Sequence, residues 1–480
     1  MDRSPDILNK IKIIAGSKVV EIVFLLLAGA VSLWPAFYTK YPLLFFDSGT
    51  YLLNGFLNEL PISRPIFYCW FVRHISMAYT LWFVVIAQAA IMTYMLYMTL
   101  KVSGIDRFRG LFVFLASAVL SFTTWYAFES SMIMADFFTA SGLLGLYILV
   151  AGKKLHPAHI VAVSVILIFG NVSHLSNLPV IGGTFLSLVV LLLVFKRFRI
   201  ERKVLRKLVF TGSMVGLSWL LLPSVNFFMS GSFTFSRVSN VVHFAKLLTT
   251  GMMQDFINEK CAEDPDFSMC KYTGTLDDYT RLDYFLWRDS SLLYSHECMK
   301  QGWEACWIQR NAEFGEIIAE FRGDKRYLKR YLLNSWHIAV DQLTNIRIMT
   351  FPSLEENTAP QYPIKRYYTD DLENFLGSRQ FGERMTFPVI NAFQNVVILI
   401  SLVLIVAWYV VPWLRRRISP NLGYLVLITF LALLVNPVAI GLFAIGTGRF
   451  QGRIIWLVPF IAMILIFSLI VKSNKNEKTS

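Results

Sequence analysis

The chain has 480 residues, of which 55% are hydrophobic, 15% aromatic and only 16% charged. Its mean hydropathy of +0.52 exceeds what a water-soluble core requires, which argues against a soluble enzyme or binding domain. The formal net charge of +13 comes mostly from lysines and arginines placed in the pattern of a membrane protein. It is therefore no argument for nucleic-acid binding.

Apolar runs long enough to cross about 30 Å of hydrocarbon as helices explain this composition. The sequence predicts ten of them, the fifth being short: Val19–Tyr38, Leu81–Leu100, Gly110–Phe128, Met132–Ala151, His159–Val172, Asn177–Phe195, Leu208–Met229, Ala392–Leu414, Tyr424–Ile445 and Ile454–Val471. The first run is too long for a cleaved signal peptide and has no small-residue cleavage site after it. We therefore expect an all-α polytopic membrane protein with about ten transmembrane helices.

The positions of lysine and arginine predict the orientation. Of the 45 basic residues, 22 fall at the termini and in alternate connections, namely Arg3–Lys18, Lys101–Arg109, Lys153–Lys154, Lys196–Lys207, Arg415–Arg417 and Lys472–Lys478. Because cytoplasmic loops are enriched in basic residues, both the N- and the C-terminus are predicted to be cytoplasmic.

Two long connections are then predicted on the outer side, residues 39–80 and 230–390. The second contains 22 acidic and 18 basic residues and reads as a mainly helical extracytoplasmic domain between transmembrane helices 7 and 8. It separates an N-terminal membrane domain, residues 1–229, from a C-terminal one, residues 391–480. In the first connection, the aromatic-rich stretch 66–80 predicts a helix lying in the membrane interface, or alternatively an extension of the second span.

Four of the five cysteines lie in the 230–390 segment, which indicates disulfides formed in an oxidising compartment. Local pairing, Cys261 with Cys270 and Cys298 with Cys306, is favoured among the three connectivities. A zinc site fits these spacings poorly. The remaining cysteine, Cys69, is predicted to be a buried apolar residue.

Ionisable groups are absent from the middle of every predicted span, which disfavours an ion-coupled transporter. They gather instead at the predicted outer ends of the spans. The candidate acids are Asp47, Glu129 and Asp136, and the candidate basic groups are Arg64, Arg73, His74, His174, Arg449 and Arg453.

An outward carboxylate beside outward arginines predicts a reaction class. The arginines would bind the phosphate of a lipid-linked sugar and stabilise its charge as it leaves. Asp47 would take the proton from the attacking acceptor as general base. Arg449 and Arg453 are spaced to share one helix face, although arginines at such positions can also anchor to lipid headgroups. In the alternative reading, Asp47 is a solvated loop residue.

Two simpler interpretations apply to the other acids. In the simpler interpretation, Glu129 caps the turn between spans three and four. Asp136, which lies one to two turns into the predicted fourth span, could be satisfied by Ser130 or Ser131.

The stretches "FFDSGTYL", "PISRPIFYCW" and "LWFVVIAQAAI" resemble the start of the GT-C glycosyltransferases, and "SSMIMADFFTA" resembles their fourth-span region. The resemblance covers roughly the first 140 residues by motif. It implies a membrane glycosyltransferase related to protein O-mannosyltransferases and the lipid A aminoarabinose transferase. It also implies a polyprenyl-phosphate sugar donor and a site facing the periplasm of a bacterial inner membrane, with Asp47 as catalytic base and Asp136 at the matching acidic position.

The sequence departs from that family in two respects. Asp47 belongs to no DxD pair, so a divalent ion, Mg or Mn, is an open cofactor assignment. The large domain lies between spans seven and eight, as in O-antigen ligases and polymerases, where a transferase site would use Arg237, His243 or His337 instead. A transporter, flippase or envelope-assembly protein is the third hypothesis, with Asn436-Pro437 as its candidate helix break. The acceptor, whether glycan, lipid or protein, is left open, and no nucleic-acid partner is expected.

Overall fold

The computed structural model describes residues 17–194, 201–276, 279, 281–294, 299–300 and 302–476. Within these residues the chain is helical, and extended backbone pairs only at three isolated bridges. The predicted basic tails and the Lys196–Lys207 cluster fall wholly or partly outside the described residues, as does Cys298.

The first eleven helices, in chain order, are α1 (Lys18–Ser32), α2 (Trp34–Thr39), α3 (Phe46–Leu57), α4 (Ile66–Ser76), α5 (Trp82–Val102), α6 (Arg109–Thr123), α7 (Tyr126–Ser131), α8 (Phe137–Ala151), α9 (Pro157–Val172), α10 (Asn177–Val194) and α11 (Arg202–Ser230). An inserted segment, residues 231–387, follows them. Its helices are α12 (Ser239–Thr249), α13 (Met252–Glu263), α14 (Thr273–Leu276), α15 (Leu282–Trp287), α16 (Trp303–Gly323), α17 (Lys325–Thr344), α18 (Gln361–Tyr367) and α19 (Leu372–Leu376). The chain then continues with α20 (Pro388–Val410), α21 (Pro412–Arg417), α22 (Asn421–Phe443), α23 (Gly448–Ile455) and α24 (Leu457–Asn476).

Six helical stretches among the described residues are long and apolar enough to cross a membrane: α5, α10, α11, α20, α22 and α23 together with α24. Three shorter apolar helices, α6, α8 and α9, lie beside them. These are the features of a helical integral membrane protein. The predicted number of ten spans and the predicted orientation are not established by these helices.

Several predicted spans differ from the helices of the structure: the third ends at Thr123, the eighth divides at Val411, and the first and fourth differ as follows. The first run divides into α1 and α2 at Leu33, just before Pro35, whose missing N–H cannot continue the helix. The fourth run is helical only from Phe137 onward, because Ser131 and Ile133 hydrogen-bond to the backbone of Leu43 instead. The prediction that Asp136 lies one to two turns inside a span is therefore wrong: Asp136 immediately precedes α8.

The inserted segment has a hydrophobic core of its own between residues 238 and 331, formed mainly by α12, α13, α15 and α16. Its later part, residues 346–385, packs into the same core as the membrane helices. The helices α16 and α17 are separate because Asp324 ends α16 and caps α17 by accepting from the Arg326 N–H at 2.8 Å. The Cys261–Cys270 disulfide is confirmed, with a Cα–Cα distance of 5.6 Å. Cys69 is buried and unpaired, as predicted.

The stretch after Pro65 is a separate helix, α4, which ends at Ser76 before α5 begins at Trp82. It therefore does not extend the second span. Asp371 anchors this connection, since its carboxylate accepts from the Tyr41 hydroxyl at 2.8 Å, the Thr80 hydroxyl at 3.0 Å and the Leu81 N–H at 3.1 Å. The later part of the inserted segment thus holds both ends of the first long connection.

Candidate functional site

The chain before Asp47 is fixed against the chain before Asp136. Leu43 donates its N–H to the Ser131 carbonyl and accepts from the Ile133 N–H, both at 2.9 Å. The Ser48 hydroxyl donates to the Ile133 carbonyl at 2.9 Å. Two acids that are 89 positions apart in the sequence are therefore held at the same end of the membrane helices.

Asp47 lies in the first turn of α3, where the helix dipole favours a carboxylate. The inserted segment supports this turn from the other side. The Gln380 side chain accepts from the Leu44 N–H at 3.1 Å and donates to the Leu44 carbonyl at 2.7 Å. Gly49 allows Ala359 to approach closely, because a Cβ at position 49 would overlap the Ala359 carbonyl.

The motif "GRFQGR" forms α23 and brings two arginines to the same place. Two glycines permit this position: a Cβ at Gly448 would overlap the Arg347 carbonyl, and one at Gly452 would overlap the Trp125 indole. Arg449 and Arg453 lie on one face of α23, as their spacing predicts, and both contact Asp136.

Three arginines and two aspartates form a continuous ion-pair cluster, hereafter the Asp47–Asp136 cluster. Arg64 donates to Asp47 at 2.6 Å, and the Arg449 guanidinium lies 3.6 Å from Asp47 and 3.8 Å from Asp136. Arg453 donates to Asp136 at 3.0 Å. The Asp47 side chain is 19% exposed, whereas Asp136 and Arg453 are completely buried, so the cluster opens to the surface at Asp47.

Polar residues from the connection before α10, from α22 and from α23 itself complete the buried end. Arg453 donates to the Ser176 hydroxyl at 2.9 Å and to the Asn436 side-chain oxygen at 2.8 Å. Asn436 in turn donates to the Phe450 carbonyl and to Gln451, both at 2.8 Å. The helix α22 continues through Asn436-Pro437 to Phe443, so the helix break suggested at this dipeptide is absent.

Three residues of this site were not among the sequence candidates: Ser176, Gln451 and Tyr51. The Tyr51 ring faces the Arg64 guanidinium at 5.5 Å. Its position one helical turn after Asp47 is the single sequence signal that would have suggested it. Ser176 lies in the polar stretch "NVSHLSN", and a serine there is too common to stand out.

Glu129 lies in α7, in the connection between α6 and α8, and is 2% exposed. Neither of its carboxylate oxygens has a hydrogen-bond partner among the described residues. Burial, reinforced by the nearby charge of Asp136, raises the pKa of Glu129 to about 8. The side chain is therefore neutral at pH 7, next to the cluster but not bonded to it.

The other predicted basic residues have different surroundings. His174, in the connection between α9 and α10, contacts the Ser176 hydroxyl at 2.8 Å, and removal from water lowers the pKa of His174 to about 4. Arg73 lies 4.4 Å from the Phe56 ring. His74 is exposed and its Nδ1 lies 2.7 Å from the Trp70 carbonyl oxygen. His174 thus adjoins the cluster as a neutral group, whereas Arg73 and His74 lie outside it.

The residues of the ligase-like alternative do not meet. Arg237 pairs with Glu304. His243 is buried, with its Nε2 3.3 Å from Arg322. His337 is exposed on α17. Because these side chains have separate partners and surroundings, they do not build one site.

Several polar atoms of the cluster have unused hydrogen-bonding capacity. Among the described residues, Arg64 Nε, Arg449 Nη1 and Arg453 Nε are buried donors without a hydrogen-bond partner. Buried donors in folded proteins are nearly always paired, so three unpaired guanidinium donors in one cluster indicate a place for an acceptor-rich ligand. With Glu129 neutral, three arginines against two aspartates leave one positive charge, which favours an anion.

No group of three or more metal-binding side chains occurs in the described part of the chain. The assignment of a divalent ion stays a prediction that this geometry does not test. Comparison of the chain with protein-family models, with curated proteins and with solved structures finds no match.

Gly452→Ala is expected to lower any activity of this site by about 10²-fold, because moving α23 away from Trp125 displaces both arginines by a fraction of an ångström to an ångström. Turnover per folded protein, in lipid nanodiscs, measures the effect. Gly423→Ala is the control, since a Cβ there meets nothing within 4 Å. Equal activities of the two variants would show that the position of α23 does not matter.

Glu129→Gln is expected to change how thermal stability depends on pH. The ordinary glutamate pKa is about 4.3, whereas the pKa of Glu129 in the folded protein is about 8. Between these two pH values the unfolded chain binds fewer protons than the folded chain. The free energy of unfolding therefore falls as the pH rises through this range. The glutamine variant lacks this loss. Its Tm should match that of the original protein at pH 5 and exceed it by about 2 °C or more at pH 8.5. A difference in Tm that is the same at both pH values would contradict this.

Proposed function

We propose that the chain is a membrane glycosyltransferase that moves a sugar from a polyprenyl-phosphate donor to an acceptor, with the Asp47–Asp136 cluster as its active site. One observation carries the proposal: a partly exposed carboxylate lies within 4 Å of arginines that have unused donors. The amino-terminal resemblance to GT-C glycosyltransferases supports the same reaction class.

The donor phosphate is proposed to bind between Arg64 and Arg449. Both arginines contact Asp47 in the absence of a ligand, and both carry an unpaired N–H group. A phosphate that accepts from these groups competes with Asp47 for them. Binding of the donor would therefore weaken the hold of the arginines on Asp47 and free its carboxylate to act as a base.

The transfer itself needs no further group. The acceptor hydroxyl or amine attacks the anomeric carbon, its proton passes to Asp47, and the bond between that carbon and the phosphate oxygen breaks. Polyprenyl phosphate leaves with one additional negative charge, which the guanidinium groups stabilise. Asp136 does not take part in this step: it holds Arg449 and Arg453 in place from the buried side.

The test uses the full-length protein in lipid nanodiscs, a panel of polyprenyl-phosphate-linked hexoses and pentoses, and envelope extract as the source of acceptor. We expect free polyprenyl phosphate to be released from at least one donor, as measured by mass spectrometry. Heat-denatured protein is the control for background activity of the extract. Release of nucleotide from a parallel panel of nucleotide sugars, with no release of polyprenyl phosphate, would overturn the proposal.

A further inference from the structure

The helix α17 of the inserted segment carries an exposed apolar face. Leu328, Leu332, Trp336 and Val340 follow one another at four-residue spacing and are 36%, 52%, 61% and 44% exposed. Leu333 and Leu343 flank them and are also exposed. These six residues are hereafter the apolar stripe of α17. Large apolar side chains exposed together on one helix mark a contact site for a protein or a membrane.

A neighbouring side of α17 is already occupied by protein. Tyr331 donates its hydroxyl to the Leu442 carbonyl at 2.5 Å, and Ala339 and Ser335 lie close enough to Gly441 that a Cβ there would overlap the Ser335 carbonyl. The apolar stripe is therefore a second, independent face, and it is not the face that attaches the inserted segment to the membrane helices.

A third side of α17 is polar. Arg326 pairs with Asp324 and Glu259, and Arg330 pairs with Asp255. His337 is exposed on the same side. A helix with a buried side, an apolar exposed side and a charged side matches the pattern of helices that lie in the interface of a bilayer.

The neighbour of α17 indicates which partner covers the stripe. The helix α22 is one of the candidate spans and exposes Leu434, Val438 and Phe443. Because α17 is attached at Gly441 and Leu442, in the last turns of α22, its stripe lies at the level where this span ends. Lipid is the solvent of that region of a membrane protein.

Two lysines indicate that the partner carries a negative charge. Lys325 and Lys329 line a shallow groove of about 360 Å³ together with Leu328, Leu332 and Leu333. The ion pairs found in the described residues involve Arg326 and Arg330 but neither of these lysines. An apolar groove whose lining includes two ammonium groups without an ion-pair partner fits a lipid that has an anionic headgroup.

We propose that α17 lies in the membrane interface, with its apolar stripe among the acyl chains and Lys325 and Lys329 bound to the headgroups of anionic phospholipids. This contact holds the inserted segment against the bilayer on the side away from α22. It does not depend on the reaction catalysed at the Asp47–Asp136 cluster.

The first test measures immersion by spin labelling of the full-length protein in nanodiscs of phosphatidylglycerol and phosphatidylcholine. Labels are attached to Leu332→Cys, Trp336→Cys or Val340→Cys, each in a Cys69→Ala background, and to His337→Cys as the matched control on the polar side. The three stripe positions are expected to be accessible to oxygen and to lose access to a water-soluble nickel complex, whereas position 337 keeps that access. Equal access of the nickel complex at positions 336 and 337 would overturn the proposal, as would dipolar broadening that shows a second copy covering the stripe.

The second test concerns the lysines. The label at Val340→Cys should lie deeper in phosphatidylglycerol nanodiscs than in pure phosphatidylcholine nanodiscs. This difference in depth should vanish when Lys325 and Lys329 are both replaced by glutamine, and persist in Lys365→Gln, which removes an exposed charge from α18. A difference that survives the double replacement would show that the lysines bind no anionic lipid.

Discussion

Asp47→Asn is expected to reduce turnover by about 10²- to 10⁴-fold, the usual contribution of a general base, while the protein remains folded. Asparagine has nearly the same shape but cannot accept the proton of the acceptor. The loss should appear in kcat. The KM for the lipid donor should not rise, because removing the charge of Asp47 frees Arg64 and Arg449 for the donor phosphate.

Binding and turnover separate this role from a structural one. A fluorescent polyprenyl phosphate should bind the Asp47→Asn variant at least as tightly as the original protein, and unlabelled polyprenol, which lacks the phosphate, should not compete. Asp106→Asn is the matched control, since Asp106 is 83% exposed and lies in the connection between α5 and α6. If Asp47→Asn keeps its turnover within tenfold, or loses only donor affinity, Asp47 is not the base.

The sequence could predict that the charged residues of the Asp47–Asp136 cluster lie at one end of the membrane helices. Charged side chains are costly in lipid, so they are expected at the ends of the apolar runs. The pairing of Arg449 with Arg453 on one face also followed from their spacing. Both predictions, the position of the charged residues and the shared face of the two arginines, need only residues that are close together in the sequence.

The partners of each charge could not be predicted in this way. Asp136 lies beside Arg453 because the backbone at residues 131–133 pairs with Leu43. Neither this extended backbone nor its distant partner leaves a periodic signal in an apolar run. The contact of Asn436 with Arg453 likewise joins two helices through tertiary packing. The break at Leu33 is different, because it has a local signal in Pro35 that the apolar composition of Val19–Tyr38 outweighed.

The largest loss of stability is expected from Asp136→Ala, at about 3 to 5 kcal/mol, because it leaves the completely buried Arg453 without its carboxylate. The double variant Asp136→Asn with Arg453→Gln should recover much of this loss, since both charges disappear together and the two amides can still bond to each other. Thermal unfolding followed by size-exclusion chromatography, on Asp136→Asn, Arg453→Gln and the double variant that combines them, gives the coupling between the two residues.

An exposed ion pair provides the comparison for this experiment. Asp255 and Arg330 are each about half exposed, so Asp255→Asn should cost less than about 1 kcal/mol. The double variant at 136 and 453 also separates the two roles of Arg453. If it regains stability but still fails to bind a polyprenyl phosphate, the buried guanidinium contributes charge to the donor site as well as to the fold. If the single and double variants are equally unstable, Asp136 and Arg453 are not energetically coupled, and the cluster cannot be the rigid support that the proposed reaction requires.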